Sequence, residues 1–155
     1  MLMMAVLLSL SIASPAMARG GDGDDDGLAN GDENRYGTSR TNPDTDGDGV
    51  LDGDEVYATF TDPTLWDTDH DGLSDGDERA RGTNPLLPDS DNDGLLDGVE
   101  VQVYFTNPLR WDTDADFISD LQEIQFTSTN PTRWDTDRDG IGDGQDRYPL
   151  DAMMW

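Results

Sequence analysis

The sequence predicts a mostly irregular repeat array: an elongated rod of six Asp-rich loops, with short helices of one to two turns and Pro turns between them. Three observations predict it. The acids recur in register, the apolar content is too low for an ordinary core, and Pro interrupts every linker. The chain has 155 residues, with 35 Asp plus Glu against 9 Lys plus Arg, a formal charge of −26 and 34% hydrophobic residues. A single domain of that length with so acidic a balance cannot close around buried oil alone. The basic residues are all Arg, which removes Lys-based Schiff-base and P-loop chemistry, and the polyanion would repel nucleic acid. With no Cys, disulfides, thiolate nucleophiles, zinc knuckles and iron–sulfur clusters are excluded.

Many of the apolar residues lie at the start. Residues 1–18 hold no ionisable side chain, carry a short apolar run from Ala5 to Leu10 and Ile12, and end in Ala16-Met17-Ala18, a small-x-small cleavage pattern. This reads as a secretory signal peptide cut after Ala18, and the run is too short for a bilayer-spanning helix, which needs about 20 apolar residues. The mature chain, 19–155, is therefore expected to be exported, secreted or held at the cell surface, with no transmembrane segment.

Self-comparison of the remainder yields the unit Asp-x-Asp-x-Asp-Gly-(Leu/Val/Ile)-x-Asp-x-x-Glu, starting at Asp22, Asp44, Asp67, Asp89, Asp112 and Asp135 in steps of 22, 23, 22, 23 and 23 residues. A solvated acidic tract has no reason to hold such register. Carboxylates at loop positions 1, 3 and 5 of a tight turn face one centre, Gly at 6 allows the turn, and Glu at 12 closes the shell with two oxygens. Hard oxygen donors without nitrogen or sulfur select Ca²⁺. The candidate ligands of loops 22–33, 44–55 and 67–78 are Asp22, Asp24, Asp26 and Glu33; Asp44, Asp46, Asp48, Asp52 and Glu55; and Asp67, Asp69, Asp71, Asp75 and Glu78. Those of loops 89–100, 112–123 and 135–146 are Asp89, Asp91, Asp93, Asp97 and Glu100; Asp112, Asp114, Asp116, Asp120 and Glu123; and Asp135, Asp137, Asp139, Asp143 and Asp146. Only Asp25, Asp32, Asp54, Asp62, Asp77 and Asp151 stand outside this grid. Three positions depart from the unit: Asn30 at position 9, Phe117 in place of the turn Gly, and Asp146 in place of Glu. Phe117 is expected to carry strain and Asp146 to reach an ion less easily, so both loops should bind more weakly.

The acid pattern also fits an EF-hand, and an EF-hand-like calcium sensor is the corresponding alternative function. Its surroundings argue otherwise. Only 10 or 11 residues separate one loop's last position from the next first Asp. Those linkers hold Thr41-Asn42-Pro43, Thr61-Asp62-Pro63, Thr83-Asn84-Pro85, Thr106-Asn107-Pro108 and Thr129-Asn130-Pro131, and Pro bars a continuous helix. A short helix after each loop fits better: Ser74 through Glu78 places a cap and acids at a helix start, Val56-Tyr57-Ala58 or Val101 to Tyr104 can extend one, and the Pro turn is expected to stop it.

The stretch from Asp44 to Glu55, followed by Thr61-Asp62-Pro63, resembles the bacterial form of the thrombospondin type 3 calcium-binding repeat, and the likeness extends from about Asp22 to the C-terminus. The resemblance implies calcium-dependent rod-like stacks on extracellular or cell-surface proteins, often spacers beside adhesive or enzymatic domains. It implies Ca²⁺ as the bound ion and cell-surface or matrix components as partners.

Trp66, Trp111 and Trp134 each precede a loop, and with so little apolar mass they are expected to pack between units with Tyr57, Phe60, Tyr104, Phe105 and Phe126. Carbohydrate stacking is the functional alternative for those rings. His70, at loop position 4, is expected to face solvent. No Gly-x-Ser-x-Gly or His-Glu-x-x-His pattern is present, so the sequence reads as a non-enzymatic, secreted calcium-binding module, a calcium-rigidified spacer or adhesion element. Its enzyme-class alternative is a non-catalytic fragment of a larger secreted or cell-surface enzyme.

Overall fold

The computed structural model describes residues 21–154. The expected signal peptide and its cleavage site lie outside the described residues. Within them the chain is mostly turns and loops, with short helices and no strand. Helix α1 spans Asn30–Tyr36 and α3 spans Asp75–Arg81. Helices α2 (Asp52–Asp54), α4 (Asp97–Val99) and α5 (Asp120–Gln122) each continue as one π-turn, over Glu55–Thr59, Glu100–Tyr104 and Glu123–Thr127. A 3₁₀ turn over Asp143–Gln145 ends the series. None of these helices is long and apolar enough to cross a membrane.

These helices explain the alternating step. After α1 and α3 the closing N–H reaches back four residues, Gly37 to the Glu33 carbonyl and Gly82 to that of Glu78, each at 2.7 Å. In the longer repeats it reaches back five, Phe60 to Glu55 at 2.7 Å and Ser128 to Glu123 at 2.8 Å. Phe105 caps the Glu100 carbonyl in the same way. The twenty-third residue is thus absorbed as a π-bulge directly after the loop Glu, leaving the start of the next loop in phase.

The closing residue is left-handed after all five helices α1–α5, with φ 85° at Gly37, 88° at Gly82, 63° at Phe60, 60° at Phe105 and 61° at Ser128, whereas the last 3₁₀ turn closes at Asp146 in extended backbone. Each helix therefore ends at a left-handed cap, ahead of the Pro expected to stop it. Pro instead builds the next bend. Leu65, Leu87, Arg110 and Arg133 donate N–H to the carbonyls of Asp62, Asn84, Asn107 and Asn130, β-turns with Pro at the second place. Thr41-Asn42-Pro43 does not match the other four in structure. Thr38 and Ser39 occupy the places that Thr83 and Asn84 hold elsewhere, because Ser39 N–H donates to Thr45 Oγ1 as Asn84 N–H does to Ser90 Oγ. Pro43 sits instead directly before Asp44, its carbonyl accepting from Asp52 N–H at 3.0 Å.

Successive loops stack directly. The N–H groups of Gly76 and Gly98 donate to Asp48 Oδ2 and Asp71 Oδ2 of the preceding loop at 2.9 and 3.0 Å. At Gly53, Gly76, Gly98 and Gly144 a Cβ would drive into the carbonyl oxygen of Asp26, Asp48, Asp71 or Asp116. Leu121 fills this place once; its N–H still donates to Asp93 Oδ2 at 3.2 Å while its side chain lies over Gly94. The buried apolar residues are Leu28, Ala29, Val50, Leu73 and Leu95, all in the first four repeats, with Ile118 and Ile141 half-buried at the equivalent place in the last two, while the buried polar set is dominated by Asp and Glu.

The aromatic rings do not form the inter-unit core that composition suggested. Phe60, Phe105 and Phe126 are 70%, 74% and 76% exposed, and Trp66, Trp111 and Trp134 are about half exposed. With bulky rings outside and carboxylates inside, the usual partition of side chains is reversed.

The stacking contacts yield a paired prediction. Gly98→Ala meets backbone and should cost about 2–3 kcal/mol in denaturant unfolding at saturating calcium, as overpacking does. Gly47→Ala, at φ 83° with open space around it, should cost only about 1 kcal/mol.

Candidate metal centres

Each acidic turn is built by its first Asp, which gathers the backbone around itself. Asp44 accepts the N–H groups of Gly47 and Gly49 at 2.7 and 3.0 Å, and Asp67 those of His70 and Gly72 at the same distances. Asp22, Asp89, Asp112 and Asp135 do likewise. Phe117 N–H keeps this bond to Asp112 at 2.9 Å with φ 82°, so the fifth loop retains its shape at the strain expected of a non-Gly residue there. The fifth position is bonded by the N–H two residues on, as Asp48 is by Val50 at 2.7 Å. His70 is exposed, as expected.

These bonds satisfy some carboxylate oxygens and leave others aimed inward. Oxygens without a hydrogen-bond donor, each shielded from solvent, occur at position 3 (Asp24, Asp46, Asp69, Asp91, Asp114, Asp137) and at position 12 (Glu33, Glu55, Glu78, Glu100, Glu123, Asp146). Such regular orphans are not packing defects, since a buried unpaired carboxylate costs several kcal/mol. They are the donors a hard cation requires, and the residues present fit Ca²⁺.

Ligand oxygens lie within 4.8 Å of one another in two kinds of cluster. One is internal to a loop: Asp22, Asp24 and Asp26; Asp44, Asp46 and Asp48; or Asp67, Asp69 and Asp71. The other bridges neighbours: Asp48 and Glu55 with Asp75, and Asp71 and Glu78 with Asp97. Position 9 therefore faces the preceding loop's acids as the helix start stacks on that loop, and a self-contained twelve-residue cage does not describe it.

Two sets of hydroxyls support this frame that the acid pattern alone passed over. Thr61, Thr83, Thr106 and Thr129 donate to one oxygen of Glu55, Glu78, Glu100 and Glu123 at 3.1, 3.4, 3.0 and 3.0 Å, leaving the other oxygen free. At loop position 2, Thr45, Thr68, Ser90, Thr113 and Thr136 donate to Asp52, Asp75, Asp97, Asp120 and Asp143 at 2.5–2.7 Å. The signal was present: a hydroxyl residue recurs second in five loops, and Gly23 alone breaks the rule.

Without a cation the frame is electrostatically loaded. Burial, with neighbouring carboxylates adding to it, pushes Glu55, Glu78, Glu100 and Glu123 up to about 8, and Asp46, Asp69, Asp91 and Asp114 up to about 6. The first loop follows: Asp26 rises to about 6, and burial raises Asp24 and Glu33. A raised carboxyl pKa favours the metal-free fold below the ordinary Glu value of 4.5 and is a contribution lost as pH climbs through about 8. A divalent ion must displace those protons. Calorimetry in buffers of different ionisation enthalpy should therefore show proton release on calcium binding at pH 7, with affinity rising from pH 6 to pH 8. A pH-independent affinity would contradict the geometry. Thr106→Val, which removes the donor to Glu100, should weaken binding at one step by about 1 kcal/mol.

Residues 44–65, 67–88 and 89–110 match the family described as the bacterial TSP3 repeat. The loops outside that match are those starting at Asp22, Asp112 and Asp135, which carry the departures Asn30, Phe117 and Asp146. No curated protein matches the chain. Among solved structures, a biofilm associated protein B domain is 38% identical over 29% of this chain and 11% of its own, with TM-score 0.29. A biofilm associated protein BSP domain is 46% identical over 27% of this chain and 7% of its own, with TM-score 0.27. The chain thus spans about a tenth or less of the length of either structure.

Proposed function

We propose, from the match of residues 44–65, 67–88 and 89–110 to the bacterial TSP3 repeat, that the chain is a secreted calcium-binding structural module, a spacer or adhesion element stiffened by Ca²⁺ into an elongated rod. The observation that carries this reading is the set of buried, donor-free carboxylate oxygens repeated at positions 3 and 12 of the loops. The ions would be held by the first, third, fifth and twelfth residues of a loop, with the ninth residue of the following loop, as in Asp48, Glu55 and Asp75. What the ion supplies is charge neutralisation. Six divalent ions would cancel twelve of the 26 net negative charges and replace the core that five buried apolar residues cannot provide. Because position 9 is shared across neighbours, filling one cage organises the next, and binding is cooperative along the array. Affinity on the order of 10⁻⁴ to 10⁻³ M suits extracellular calcium. A structural role accords with this design, in which the strongly perturbed acids face each other and no nucleophile.

Calcium added to a chelated sample should raise helical circular dichroism, shift Trp emission, confer resistance to proteases and convert the scattering profile from a flexible chain to an extended stiff particle. Unchanged spectra and scattering across 10 μM to 10 mM calcium would sink the proposal. Glu78→Gln, central in the matched repeats, should make the titration biphasic.

A further inference from the structure

Three Phe residues, Phe60, Phe105 and Phe117, are held at positive φ in places where sister repeats use Gly, and the last two lie on one groove. Phe105 closes its helix at φ 60° where Gly37 and Gly82 close theirs, and Phe117 holds the turn position at φ 82° where the other five loops have Gly. Neither ring repays its strain by packing, since they are 74% and 73% exposed. Both line the same place. Two adjoining open concavities, each of about 390 Å³, meet at Leu109: one takes in Arg81 and Phe105, the other Arg110, Trp111 and Phe117.

The charge of this groove is out of character with the molecule. Only nine basic residues face 35 acids, yet Arg81 and Arg110 both line it, and neither has a carboxylate ion-pair partner among the described residues, where the recorded ion pair is Arg79–Asp54. At physiological ionic strength fields fade over about 8 Å, so the groove's own charges, two guanidiniums against the single Asp112 carboxylate, weigh more in docking than the net charge. Three half- to three-quarter-exposed rings offer flat apolar faces in a shallow channel, and the two guanidiniums offer planar forks matched to carboxylates.

We propose that the groove formed by Arg81, Phe105, Leu109, Arg110, Trp111 and Phe117 binds an acidic polysaccharide, its sugar faces stacked on the rings and its uronate carboxylates paired with the two arginines. An acidic peptide would supply the carboxylates but not a succession of flat saturated faces. Asp112, a proposed ion ligand, also lines the second concavity, so the groove rests on the calcium reading there, and circular dichroism of the calcium-loaded chain separates a failure of that reading from a failure of the groove to bind.

The test uses the full calcium-loaded chain with tetragalacturonate as probe, followed by calorimetry and Trp emission, with circular dichroism reporting folding in parallel. Saturable binding is expected, weakened more than about tenfold by Trp111→Ala or Arg110→Gln and left intact by Arg79→Gln. Calcium withdrawal by the probe would affect all variants alike and is thereby distinguished. The sharpest arm is Phe105→Gly with Phe117→Gly. Removing both rings relieves the backbone, so the fold should hold or gain in melting temperature while binding falls at least about fivefold. Equal binding of maltotetraose or of a poly-Glu peptide, no binding of tetragalacturonate, or full binding by the double Gly variant would each overturn the proposal.

Discussion

Everything in this molecule follows from carboxylate oxygens that have been withdrawn from water and given no donor. Glu55, Glu78, Glu100 and Glu123 have no exposed surface and occupy the place that Leu or Phe would hold in an ordinary domain. Each keeps one oxygen on a Thr hydroxyl and turns the other toward neighbouring acids. Left alone, that arrangement is repulsive, and burial raises every one of these groups toward the protonated form. The same oxygens would form a cohesive centre once a cation joined them, and on the proposed reading cohesion is delegated to an ion that the surroundings supply.

This delegation explains how a repeat can be only 22 or 23 residues long. A unit of that size has no core to call its own, and it shares both its backbone surface and its acids with the next. Gly76 and Gly98 are small because a carbonyl of the preceding loop lies against them, and Asp75 and Asp97 are acidic because the preceding Glu faces them. Repeat proteins derive stability from such nearest-neighbour terms, and here the term is electrostatic and steric rather than hydrophobic.

Much of this was legible in the sequence because the loop acids act within twelve residues of one another. Spacing alone placed Asp44, Asp46 and Asp48 together, and Ser74 was identifiable as a cap, with its Oγ accepting from Asp77 N–H. What was not legible depended on contacts between units. The acid at position 9 is local in sequence to one loop yet faces its neighbour. Thr41-Asn42-Pro43 has the right letters in the wrong register, since the preceding helix ends at Gly37 and Thr38 takes the structural role. The aromatic residues misled for a different reason. Apolar scarcity suggested that every ring must be buried, but buried acids had already filled the interior, and the rings were left outside.

The π-turns carry one last consequence. An insertion of a single residue ordinarily rotates whatever follows it by about 100°, somewhat over a quarter of a helical circuit, and in a tandem array that error would accumulate from copy to copy. Here the surplus is swallowed where it arises, between Glu55 and Phe60, Glu100 and Phe105, or Glu123 and Ser128. The architecture is thereby tolerant of small indels at one defined spot. Genes encoding such units can duplicate and recombine with imperfect lengths and still yield a product whose modules mesh.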